Sequence, residues 1–317
     1  EKEVINSRWI QRLRRIKQTA FVEYVFPGAS HSRFEHSLGA MNVSGLILSS
    51  VIKNQHSILK QLTSSLESLP HTERTSFVEK DGLEFSILKT EEKIKLLENS
   101  PYLHQILRLA ALLHDVGHSP LSHSGESFMI SWDEFFVSVD KLHIPDWMKN
   151  GFNNKKKKLK LQKKTLSHSM RHEVYTLLII QEIFTQEIQN EEESLARDIC
   201  AIIDTSFSPT PHGIFEKSGL QNLFHDIVSG EVDADRMDYL LRDARECGVV
   251  YGLFDLGRIL DSVGFYINVK TNKSHLAIRR SGIHAFEDFL RARLSMYGQV
   301  YFHKTSTACE AMLLHLK

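Results

Sequence analysis

The chain has 317 residues, 42% hydrophobic and 25% charged, enough apolar material for a sizeable core in one large domain or two ordinary ones. Lys plus Arg and Asp plus Glu each total 39, so no net field draws the molecule toward nucleic acid or an anionic membrane. Three widely spaced cysteines, Cys200, Cys247 and Cys309, argue against a disulfide framework and for reduced thiols in a cytoplasmic protein. The opening EKEVINSRW has no signal-peptide pattern, and the apolar run around residues 175–180 is too short to span a bilayer, so no membrane partner is expected. The closing CEAMLLHLK stops within a helical pattern, as in a fragment whose last helix continues.

In chain order, Ser7 is a candidate N-cap for a helix carrying Trp9, Ile10, Leu13 and Ile16 at helical spacing, with Gln18 beyond its end. Pro27-Gly28 predicts a turn, and Ser32 with Glu35 three residues on predicts a capping box that starts a helix at Arg33. His36 lies in the first turn of that helix, which should continue through Leu38, Val43 and Leu46. Residues 52–100 read as polar helical segments joined by a turn at Lys80-Asp81-Gly82 and carry no evident chemistry. A second connecting region, residues 131–166, ends in NNKKKKLKLQKK. Its composition predicts a mobile, exposed loop, with a phosphate- or nucleic-acid-binding role for the 155–164 lysine run as the sharper alternative.

The stretch LRLAALLHDVGHSPLSH, residues 107–123, organises the rest. Leu103, Ile106, Leu107, Ala110 and His114 fall on one helical face, so an imidazole and then a carboxylate, Asp115, continue an apolar stripe. Burying either without a partner is costly, and a divalent cation between them resolves the cost. Adjacent helical residues diverge by about 100°, so His114 and Asp115 leave most of an ion's coordination sphere to other segments. Gly117 fits a helix C-cap, and Ser119-Pro120 prevents continuation, which places His118 and His123 on a turn beside the ion. The HDVGH spacing superficially matches the HExxH of zinc proteases but lacks the glutamate base.

Farther on, SMRHEVYTLLIIQEIF resumes a strong helix with His172 and Glu173 near its start. In SGEVDADRMDYLLRDARECGV, Asp235, Asp238, Tyr239 and Arg242 lie on neighbouring turns, with Gly248 as a C-cap. Asp238 and Arg242 can pair at i,i+4, which leaves Asp235 as the better ligand candidate. FYINVK and HLAIRR, separated by TNKS, predict a small hairpin near 265–280, and helix resumes from Ile283 with Arg293, Tyr297, Tyr301 and His303 along it.

The motifs HSRFEHSLG, ALLHDVGHSPLSH, RHE and DADRMDYLLRD, in that order, resemble those of the HD-domain phosphohydrolases, and QRLRRIKQ with YVFPGASHSRFEHSLG is similar to the dNTP triphosphohydrolase branch. The resemblance runs from Gln11 to Lys304. It implies a mainly α-helical HD fold: a single domain over 1–317 with insertions at about 52–100 and 131–166 and a C-terminal helical portion from about 250.

The resemblance also implies one divalent ion, Fe, Mn, Zn or Mg, on His36, His114, Asp115 and Asp235, with His118, His123 and His172 around the phosphates. His123 matches the residue proposed to protonate the leaving 5′ oxygen, with Glu126 as its carboxylate partner where the mammalian relative has Asp. Gln18, Arg33, Arg236, Tyr239, Asp243, Arg293 and Tyr301 match positions that hold sugar and phosphates. The implied reaction converts a dNTP and water to a deoxynucleoside and triphosphate in a homo-oligomer, dimer or tetramer. An HD phosphodiesterase or nuclease acting on cyclic nucleotides or single-stranded nucleic acid, and a nucleotide-sensing, non-catalytic HD protein, are the alternative readings.

Overall fold

The computed structural model describes residues 1–68, 83–163, 165–188, 193–268 and 270–316. Its architecture is mainly helical with one two-stranded antiparallel hairpin. Ten helices matter for the site: α1 (Arg33–Glu67), α2 (Leu83–Asn99), α3 (Pro101–Leu113), α4 (Asp146–Leu161), α5 (His172–Glu182), α6 (Glu193–Ile203), α7 (Gln221–Ser229), α8 (Ala234–Glu246), α9 (Ile283–Met296) and α10 (Lys304–Leu314). No helix among the described residues is long and apolar enough to cross a membrane.

The axis of the molecule is α1. Ser32 and Glu35 start it as expected, the Ser32 N–H donating to the Glu35 carboxylate at 2.5 Å. The helix then runs unbroken past residue 52, because nothing between Gly45 and Glu67 interrupts it and Ile47, Leu48, Val51 and Leu59 keep a buried face. Hence the first insertion grows out of α1 without a loop at its start. The turn expected at Lys80-Asp81-Gly82 lies outside the described residues. Helices α3 and α8 pack along α1, and α3 also meets α6 and α7. At Gly39 the backbone of α1 runs so close to α8 that a Cβ there would sit 1.9 Å from an Asp238 oxygen. Only glycine permits that approach.

The hairpin pairs β1 (Val263–Asn268) with β2 (Lys273–Ile278), from Val263 opposite Ile278 to Asn268 opposite Lys273. It begins two residues before the expected span because Val263 and Phe265 turn into the core, while the Asn54 side-chain amide donates to the Val263 and Leu260 carbonyls at 2.8 Å each. The Asn268 side chain accepts from the Lys270 backbone N–H at 3.1 Å and closes the turn.

Two expectations fail. The lysine run is part of α4, not a loop. Lysine is a good helix former, and Met148, Phe152 and Leu159 recur on one buried face. Lys155 pairs with Asp204 at 2.5 Å, and the Lys156 ammonium lies 5.1 Å from the centre of the Phe136 ring. Phe152 meets Phe135 and Phe207 edge-on at 4.9 and 5.2 Å. The second failure is the end of α3, which closes at Leu113 with His114 as C-cap. Gly117 does not adopt the left-handed backbone of a cap, whereas Gly248 does, at φ +67°. Gly117 is required for closeness instead: a Cβ there would lie 2.3 Å from the Thr176 nitrogen and 2.4 Å from the His172 carbonyl oxygen.

Because α4 is anchored in this way, Phe152→Ala should destabilise the protein by about 3–5 kcal/mol, read as a lower denaturant midpoint in equilibrium unfolding. A change of under about 1 kcal/mol would mean that α4 packs too weakly to belong to the core.

Candidate functional site

Four helix ends converge. His36 sits in the first turn of α1, His114 at the end of α3, His172 at the start of α5 and Asp235 in the first turn of α8. Asp115 follows His114 in the turn that leaves α3. The His36 Nε2 lies 3.0 Å from Asp235 Oδ1 and 3.6 Å from Asp115 Oδ2. The His114 Nε2 lies 3.4 Å from both Asp115 Oδ1 and Asp235 Oδ1.

The other ring nitrogens fix the orientation. The Nδ1 of His36 bonds the Asp238 carboxylate at 2.9 Å and that of His114 bonds the Ala111 carbonyl at 2.7 Å, an arrangement that leaves both Nε2 atoms facing the same small space. Neither Nε2 has a hydrogen-bond partner of good geometry, although both residues are buried. Orphaned imidazole nitrogens pointed at two carboxylates are what a divalent cation would satisfy. His36, His114 and Asp115 thus fit such an ion, and Asp235 Oδ1 lies 3.0 and 3.4 Å from the two imidazole nitrogens.

Without a cation, protons must balance the charge. Burial opposes a charged His36, but Asp235 and Asp238 outweigh it and raise its pKa to about 10. His114 is also raised, against burial, by Asp115 and Asp235. Asp115 stays well below the usual carboxylate range despite burial, through His114, the Arg33 guanidinium and His118. Arg33 is itself buried. It pairs with Asp115 and donates to Ser122 Oγ at 2.9 Å.

A second group adjoins the first through Asp115. Its Oδ1 is 3.3 Å from His118 Nε2 and 3.4 Å from His172 Nε2. The His118 and His172 rings stack at 3.6 Å, and His123 meets His118 edge-on at 4.6 Å. Glu126 joins this group by accepting from His172 Nδ1 at 2.5 Å and lying 3.2 Å from His123 Nδ1. Burial and the nearby Arg33 depress the pKa of His118. In His172 burial is outweighed by Asp115 and Glu126, which raise its pKa to about 9.

A cavity of about 450 Å³ opens beside these groups, lined among others by Gln18, Arg33, His123, Glu126, His172, Tyr239, Asp243 and Tyr301. Asp243 accepts from the Tyr301 hydroxyl at 2.7 Å and lies 2.6 Å from His31 Nε2. Two of the expected substrate residues are not on this wall. Arg236 turns to Asp233 and the Gly230 carbonyl, and Arg293 lies 3.7 Å from Glu231 with its guanidinium over the Tyr297 ring.

A family model described as HD associated region matches residues 254–315. The chain is similar to an uncharacterized protein, MJ1154, of Methanocaldococcus jannaschii, with 28% identity over 99% of this chain and 45% of that protein. It is also similar to the deoxynucleoside triphosphate triphosphohydrolase SAMHD1 of Danio rerio, with 26% identity over 98% of this chain and 40% of that protein. A crystal structure of a phosphohydrolase from Bacteroides thetaiotaomicron superposes with a TM-score of 0.59 at 26% identity, covering 98% of this chain and 53% of that one. These likenesses support an assignment to the HD-domain phosphohydrolase superfamily. It spans about half or less of the length of the relatives it matches.

Two contributors to the site were missed by sequence reasoning. His31 is buried against Asp243, and its only signal was its place two residues before Arg33. Asp238 was assigned to the Arg242 pair, which does form through both oxygens at 2.8 Å, but Oδ2 also orients His36.

Since His36 and His114 must be neutral to ligate a metal, cation binding should displace their protons. Calorimetric titration of chelator-treated protein with Mn²⁺ at pH 7 in buffers of different ionisation enthalpy should report release of about one to two protons, with affinity rising as pH increases. Binding without proton release would remove His36 from the ligand set.

Proposed function

We propose that this HD phosphohydrolase cleaves deoxynucleoside triphosphates to deoxynucleoside and inorganic triphosphate. The observation that carries the reading is the cavity: its size suits a nucleotide, and its lining passes from Arg33 and the histidine group to a tyrosine-and-carboxylate wall. The likeness to SAMHD1 enzymes supports the same substrate class. A divalent ion held by His36, His114, Asp115 and Asp235 would supply electrophilic charge at a phosphate oxygen and acidify a water molecule.

The chain's own residues do the rest. His172, on the cavity wall, faces the place where a phosphate would lie, and His118 stacks behind it at 3.6 Å. His123 donates its Nε2 proton to the leaving 5′ oxygen while Glu126 holds the opposite nitrogen. Tyr239 and Tyr301, with ring centres 6.1 Å apart, wall the sugar, and Asp243 accepts from its 3′ hydroxyl. Tyr301 is fixed by its bond to Asp243, so a 2′ hydroxyl beside it meets a ring that cannot retreat.

Chromatography of products from the four dNTPs and four NTPs tests this. Triphosphate should appear, with kcat/KM for dATP about 100-fold or more above that for ATP. Equal values would redirect the assignment to a broader HD phosphohydrolase. Tyr301→Ala should lower total activity while raising the ATP-to-dATP ratio at least about tenfold, because the wall that excludes the hydroxyl is gone.

A further inference from the structure

A second cavity, of about 700 Å³, shares Glu126, Arg171 and Glu173 with the first and is otherwise built by other segments. Buried apolar side chains line it: Phe152 and Leu159 of α4, Met170 just before α5, Val174 and Leu177 within α5, and Phe207. Half-buried Trp132 and Leu166 extend the apolar wall. The proposed reaction uses none of these eight residues.

The polar groups of this cavity sort by whether they are already paired. Asp204 pairs with Lys155 at 2.5 Å, Glu126 accepts from His172 Nδ1 at 2.5 Å, and Ser169 donates to the Ser127 carbonyl at 3.2 Å. The Nδ1 of His168 lies 3.2 Å from the Thr165 carbonyl. Lys163 and Arg171, both exposed at the mouth, form no ion pair among the described residues, and neither does one carboxylate, Glu173. Two unpaired cations against one unpaired anion leave a single positive charge. That is too little for a polyphosphate and matches one anionic group. The interior selects as well. A sugar or nucleobase would bring donors and acceptors that the apolar lining leaves unpaired, whereas an alkyl chain gains by leaving water.

We infer that this cavity binds an amphipathic monoanion of the fatty-acid type, with its chain among Trp132, Phe152 and Phe207 and its carboxylate at Lys163 and Arg171. The volume lies in the range of small-molecule sites. Arg171 directly precedes His172 and lines both cavities, so the bound anion sits beside the histidine group. The inference does not depend on which substrate the first cavity takes.

Calorimetric titration of the full chain with sodium decanoate, below its micelle concentration, tests it. Decanoate should saturate at one per chain, and octanoate, two methylenes shorter, should bind about 15-fold more weakly. Decyltrimethylammonium, with the same chain length and the opposite charge, should bind at least about tenfold more weakly than decanoate. In Lys163→Glu, an exposed position away from the core, that preference for the anion should shrink at least about fivefold. Absence of saturable decanoate binding, an ammonium that binds as tightly as the carboxylate, or a preference unchanged by Lys163→Glu overturns the inference.

Discussion

Everything at the centre of this protein depends on holding Asp115 ionised where water cannot reach it. A buried carboxylate is stable only with compensating charge, and three kinds are provided: the Arg33 guanidinium, the surrounding imidazoles and the space for a cation between His36 and His114. Arg33 gives up its own solvation to do this, and Ser122 and the Gln18 carbonyl accept two more of its N–H groups. The interaction also joins the parts. Asp115 lies within 3.6 Å of His36, His114, His118 and His172, so the His36–His114 group and the His118–His172 group share one anion.

Helix ends are suited to such a place. The starts of α1, α5 and α8 bring positive dipole ends together with the end of α3. Gly39 and Gly117 set how closely these ends approach, since each lies where a Cβ would collide with the neighbouring helix. Thr176 completes the joint. It donates to the His114 carbonyl and accepts from the Gly117 N–H, both at 3.0 Å, tying the turn after α3 to α5.

Much of this was legible in the sequence because it follows from local rules. The capping box at Ser32, the apolar stripe leading to His114, the cap at Gly248 and the Asp238–Arg242 pair are short-range patterns with one physical reading each. What was not legible depends on distant partners. The lysine run looked like a solvated loop because its composition hides Phe152 and Leu159, whose burial is decided by Phe135 and Phe207. Gly117 looked like a cap because its role is set by α5, about 60 residues later. Motif position put Arg236 and Arg293 with the substrate residues, but nearby acidic groups and a carbonyl hold both side chains elsewhere. His31 was passed over since nothing within its own segment explains a buried imidazole; its partner is Asp243.

The cavity has a temporal consequence. Its lining begins at Gln18 and ends at Glu310, with the 20–24 turn packed against α10. During synthesis the residues of the cation site emerge well before the last wall exists. A chain released before α10 would lack the cavity wall that Ser306 and Glu310 supply. Closing this enclosure requires contact between segments nearly 300 residues apart, among the slowest kinds of contact for a folding chain to make. The enclosed cavity is therefore a late property of folding, acquired only when residues 18–24 and α10 have met.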